Sequence, residues 1–125
     1  MNRLEHVNVT VSDPAGTAAM LCEVFGWRVR WQGPSQMGGH TFHVGNDDDY
    51  VAVYTFDGRP EPLREAGRVR GGLNHIGVVV EDLDAVEQRV LAAGLKPFNH
   101  MDYEPGRRFY FLDGDGVEYE VVSYA

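Results

Sequence analysis

The chain carries one pattern twice. Leu4-Glu5-His6-Val7-Asn8-Val9-Thr10-Val11 is matched by Leu73-Asn74-His75-Ile76-Gly77-Val78-Val79-Val80, with position 75 standing 69 residues after position 6. Both stretches alternate and are β-branched, so both read as strands. Each runs into a helix start: Ser12-Asp13-Pro14 before residues 15–25, and Glu81-Asp82 before residues 83–93. Ser, Asp and an early Pro suit the free N–H groups of a first turn. Each helix ends at a glycine, Gly26 or Gly94, and a strand follows, over 27–32 and 95–101. Internal repetition of this kind predicts two copies of one supersecondary unit.

The ends of the halves align as well. His40 to Phe56 lies on Arg108 to Tyr124 without a gap, at a spacing of 68. Asn46-Asp47-Asp48-Asp49 then matches Gly114-Asp115-Gly116-Val117, and both read as hairpin turns, the aspartates solvated. Gly58 to Gly72, with Pro60, Pro62 and Arg59, Arg64, Arg68 and Arg70, breaks the pattern. The expectation is one α+β domain over 1–125, made of two βαβββ modules (about 1–57 and 73–125) and a linker over 58–72.

Strand side chains alternate between faces. Val7, Val9 and Val11 belong under the first helix, which puts His6, Asn8 and Thr10 on the bare face. By the same parity His75, Gly77 and Val79 face away from the second helix, as do Glu118, Glu120 and Val122 of the last strand. Two imidazoles and a carboxylate on bare faces suit a divalent metal with open coordination positions. His6 and His75 are repeat equivalents, and a polar imidazole is a poor packing choice for both copies. The gapless alignment sets Ala52 opposite Glu120, so a fourth protein ligand is absent there. It also sets His40 against Arg108, giving both bare-face parity and contact with an oxygen-rich substrate. Tyr54, two residues beyond Ala52, is a further substrate-binding candidate. His43 takes helix-side parity and a structural role. His100, Asp102, Tyr103 and Glu104 fall in a turn before strand 107–112. Trp27 and Trp31 read as packing residues.

With these residues the chain resembles the vicinal-oxygen-chelate superfamily, which includes glyoxalases, extradiol dioxygenases, and fosfomycin and bleomycin resistance proteins. The resemblance is carried by Leu4-Glu5-His6-Val7, by Leu73-Asn74-His75-Ile76-Gly77-Val78, by Arg108-Phe109-Tyr110-Phe111, and by Asp113 through Glu120. It implies two modules pairing into a curved mixed sheet around a cavity. It implies His6, His75 and Glu120 as metal ligands for Fe, Mn, Zn or Ni, with Glu120 and Tyr110 catalytic. Ala52 departs from the glyoxalase pattern, leaving a dioxygenase-like set of three. Dioxygenase-like or lyase/isomerase-like chemistry is expected, with metal-free drug or metabolite binding as the alternative. Small relatives of this kind pair as homodimers, and that is expected here.

The remaining composition narrows partners. A net charge of -8 argues against nucleic acid and against an anionic membrane surface. Cys22, alone of its kind, can form no intramolecular disulfide and reads as a small core residue. The opening MNRLEHVNVTV has no apolar signal core, and no apolar run reaches membrane length. A cytoplasmic location is expected.

Overall fold

The computed structural model describes residues 1–62 and 65–125; Arg64 of the expected linker lies outside them. Two compact units divide the chain, Met1–Glu61 and Pro62–Ala125.

The first unit runs β1 (His6–Thr10), α1 (Pro14–Phe25), β2 (Arg28–Pro34), β3 (His40–Gly45) and β4 (Tyr50–Tyr54). Its sheet has the order β1-β4-β3-β2, with β1 and β4 parallel and the other pairs antiparallel. The second unit repeats this as β5 (Ile76–Val79), α2 (Leu83–Ala92), β6 (Phe98–Tyr103), β7 (Gly106–Leu112) and β8 (Glu118–Ser123), ordered β5-β8-β7-β6. Each is a βαβββ module, as the repeat predicts.

Local chemistry explains the boundaries. Asp13 caps α1 by accepting from Gly16 N at 3.1 Å, with Pro14 opening the helix. Asp82 caps α2 by accepting from Ala85 N at 3.0 Å. Gly26 ends α1 at φ 71°, and Gly94 turns left-handed at φ 80° just past α2. The strand expected over 95–101 begins later, at Phe98. Leu95 N still donates to Val90 O, and Pro97 has no N–H to offer a ladder. His100, Asp102 and Tyr103 are therefore strand residues, and only Glu104 of that group lies in the turn. Glu87 on α2 holds His100 Nε2 at 3.0 Å.

Each helix covers one face of its own sheet. Leu21 and Val24 of α1 are fully buried with Val44 and Val53, and Val90 of α2 with Phe109, Phe111 and Val121. Burying such a side chain contributes about 1.5–3 kcal/mol. The opposite faces carry His6, Asn8 and Thr10, and Gly77 and Val79, all exposed. No helix among the described residues is long and apolar enough to cross a membrane.

Candidate metal-ligand site

Glu120 meets three side chains of the second module, His75, Arg108 and Tyr110. It lies on β8 between Gly77 of β5 and Tyr110 of β7. Gly77 has no side chain, so the carboxylate can lie across β5 towards His75. His75 Nε2 stands 3.2 Å from Glu120 Oε1. The other oxygen, Oε2, accepts from Arg108 Nη1 at 2.8 Å and from the Tyr110 hydroxyl at 3.2 Å. The Glu120 side chain is 14% exposed and that of Arg108 13%. Arg108 also lies over the Tyr103 ring, and its Nε is buried with no hydrogen-bond partner among the described residues. The Glu120 hydrogen bond raises the Arg108 pKa, so the guanidinium stays charged. Burial, then the nearby Glu120 charge, raises that of Tyr110, which keeps the phenol protonated as a donor.

His75 Nδ1 faces Asn74 Oδ1 at 2.7 Å. A neutral imidazole has one N–H and one lone pair, and a carboxylate only accepts. A proton held on Nδ1 by the amide oxygen would turn the Nε2 lone pair towards Glu120 Oε1, the arrangement of two ligands that share a cation.

The first module holds His6 in a comparable way. Its Nδ1 faces Glu5 Oε1 at 2.9 Å. The hydrogen bond to His6 lowers the Glu5 pKa, the largest influence on that carboxyl. The His6 ring stacks on Tyr50, with centroids 4.8 Å apart and planes 9° apart. Tyr50 in turn stacks on His43 at 4.4 Å, and His43 meets Trp31 at 4.9 Å. Four rings thus cross the sheet from β1 to β2, with Arg30 over the Tyr50 ring at 4.6 Å. Burial, then the positive charges of His6 and Arg30, lowers the His43 pKa.

The ladders correct part of the sequence alignment. Asn8 pairs Ala52 and Gly77 pairs Glu120, which keeps Ala52 equivalent to Glu120. Ala52 pairs His43, however, while Glu120 pairs Tyr110. The equivalent of Tyr110 is therefore His43 rather than Phe42, and that of Arg108 is Thr41 rather than His40. The turn between β3 and β4 spans residues 46–49, one fewer than 113–117 between β7 and β8. A slip of one residue moves every side chain to the other face. His40 consequently shares the helix-side face with Phe42 and Val44, and its Nε2 meets Gln32 Oε1 at 3.1 Å. His43 moves to the bare face with His6. Tyr54 stays on that face, its hydroxyl 3.4 Å from Gln36 O. Trp31, read as packing, is 49% exposed at the end of the ring row. Trp27 packs on Phe25.

The structure thus brings His75, Glu120, Tyr110 and Arg108 together within the second module, and places His6 in the first. Among the described residues, no three His, Cys, Asp or Glu side chains form a group that could hold a metal ion. Sequence reasoning passed over Glu5 and Asn74. The available signal was their place: each is an oxygen-bearing residue immediately before a repeat-equivalent histidine.

Two βαβββ modules in tandem, each sheet ordered first-last-third-second and each module opened by a histidine, define a class of α+β fold. The family model for the Glyoxalase/Bleomycin resistance protein/Dioxygenase superfamily matches residues 3–121, and the chain belongs to that superfamily. Among solved structures it is similar to a glyoxylase/bleomycin resistance protein/dioxygenase domain from Frankia sp. EAN1pec. That match has 23% identity over 98% of this chain and 92% of the other, with a TM-score of 0.84. It is similar to TnmS3, an antibiotic binding protein from Streptomyces sp. CB03234, at 18% identity over 100% and 98%, TM-score 0.76. It is also similar to the fosfomycin resistance protein FosX of Listeria monocytogenes, complexed with Mn(II) and sulfate ion, at 19% over 98% and 93%, TM-score 0.73. Among curated protein sequences, none matches.

Proposed function

We propose that the chain is a metal-dependent enzyme acting on a small oxygen-bearing substrate, with His6, His75 and Glu120 as the protein ligands. The observation that carries it is the approach of His75 Nε2 to Glu120 Oε1 at 3.2 Å, with His75 Nδ1 beside Asn74 Oδ1 at 2.7 Å. Donor atoms sharing one first-row divalent ion, with bonds of about 2.0–2.2 Å, stand roughly 3–3.5 Å apart. The manganese held by the FosX relative makes a divalent ion reasonable for this fold. His6 supplies the third ligand, from the same chain or from a second copy in a homodimer. A bound ion would act as a Lewis acid on substrate oxygens. Arg108 and Tyr110 hold Oε2 of Glu120, which leaves Oε1 free to serve as ligand. Ala52 offers no donor, so a coordination position stays open for solvent or substrate. Dioxygenase-like or lyase/isomerase-like chemistry fits three ligands and an open site.

The test is elemental analysis of tag-free protein purified without chelator, alongside Glu120→Ala. About one iron, manganese, zinc or nickel per chain, lost in the variant, is expected. Absence of metal after supply of all four ions would overturn the proposal. Sedimentation at micromolar concentration should show a dimer.

A second reading, metal-free binding of a drug or metabolite, is favoured by the ring row His6–Tyr50–His43–Trp31, exposed at its Trp31 end. The TnmS3 relative is an antibiotic binding protein. Tight ligand binding by metal-stripped protein would select this reading.

A further inference from the structure

We infer that Glu5 and Asn74 are paired positioning residues, which fix the Nδ1–H tautomer of His6 and His75 and so present Nε2 as the bare nitrogen. Three observations support this. The two contacts recur at equivalent positions of the repeat: His6 Nδ1 to Glu5 Oε1 at 2.9 Å, and His75 Nδ1 to Asn74 Oδ1 at 2.7 Å. Neighbouring side chains in a strand point to opposite faces and do not meet. Glu5 and Asn74 meet their histidines because they stand at the entry to the first strand of each module, ahead of β1 at His6 and β5 at Ile76, where the regular alternation of faces does not yet hold. Finally, the partners differ in charge but agree in presenting an oxygen. An exposed neighbour pair adds little to stability, which leaves ring orientation as the reason for its recurrence.

The devices are not identical. Glu5 is an anion, and the Tyr50 ring also holds the plane of His6 at 9°. Asn74 is neutral, and His75 instead meets the Tyr110 ring edge-on at 5.9 Å. A carboxylate behind an imidazole makes it a stronger donor to a cation than an amide does. His6 and His75 are thus unequal ligands by construction. That the bare Nε2 atoms serve a metal rests on the function proposed above; the tautomers themselves do not.

Ring-nitrogen NMR on the metal-free, uniformly 15N-labelled protein tests this, at a pH where the spectrum itself shows both rings neutral. Wild type should show Nδ1–H at both histidines, the opposite of the form a free imidazole side chain prefers in water. Glu5→Ala should convert His6 alone to Nε2–H, and Asn74→Ala should convert His75 alone. Glu5→Gln and Asn74→Asp keep an oxygen in place and should keep the wild-type tautomers. Nε2–H at either histidine of the wild type, or alanine variants without effect, would overturn the inference. Zinc titration of the same samples separates the two claims. Correct tautomers without zinc binding would sink the metal reading and spare this one. Zinc binding with Nε2–H rings beforehand would do the reverse. If both stand, Glu5→Ala should weaken zinc about 10–100-fold.

Discussion

Tyr110 and Glu120 face each other directly across the β7–β8 ladder, and the phenol donates to Glu120 Oε2 at 3.2 Å. Arg108 reaches the same oxygen at 2.8 Å. The tyrosine and arginine therefore act through the carboxylate that they aim. Tyr110→Phe removes one donor and leaves the other, so metal affinity should fall roughly 10-fold, the low end for a residue behind a ligand. Arg108→Gln removes the charge as well and should cost nearer 100-fold. Titration calorimetry with manganese or zinc reads both.

The carboxylates of β8 should separate cleanly. Glu120→Ala should abolish measurable metal binding, whereas Glu118→Ala, whose ladder partner is Leu112, should bind like wild type. The reverse pattern would mean that Glu118 and not Glu120 is the ligand.

Asp113 governs the turn that delivers β8. Its Oδ1 accepts from Asp115 N and Val117 N at 2.9 and 3.0 Å, and its Oδ2 from the Tyr119 hydroxyl at 3.1 Å. Tyr119 is 1% exposed. Asp113→Ala leaves these donors unpaired and should destabilise by about 2–3 kcal/mol, measured by urea unfolding.

The same carboxyl predicts a pH dependence. Burial raises the Asp113 pKa above its ordinary value, outweighing the three donors. A raised carboxyl binds its proton more tightly in the folded state than in the unfolded one. Its stabilising contribution is complete below the ordinary carboxylate range and is lost as pH rises through the folded pKa. Compared with Asp113→Asn, which does not titrate there, wild type should lose relative stability from about pH 4 upward. A relative gain on that side would contradict the assignment.

Gly45 lets β3 and β4 close over the ring row. A Cβ there would stand 2.2 Å from Asp49 O and 2.6 Å from Tyr50 Cα, both backbone atoms. Gly45→Ala should cost about 1–3 kcal/mol through forced backbone movement. It should also disturb the stacking of Tyr50 on His6, seen as changed ring shifts at His6.

The repeat, the two modules, the helix caps and the bare-face placement of His6 and Glu120 were all legible in the residues. Each depends on patterns of period 2 or on single capping residues, and those are local. Ala52 opposite Glu120 was legible too, because the spacing of 68 that aligns the ends of the halves holds for the last strand of each. The faces of His40 and His43 were not. One residue fewer in turn 46–49 leaves the similarity of the flanking strands intact yet reverses their inward and outward sets, and only backbone pairing registers that. The late start of β6 followed from Pro97, a visible signal that the repeat overrode. Sequence alone therefore determined which residue types stand on which strands. Tertiary structure decided which oxygen meets which imidazole nitrogen, because a contact of about 3 Å depends on ladder register and side-chain direction, and the order of residues specifies neither by itself.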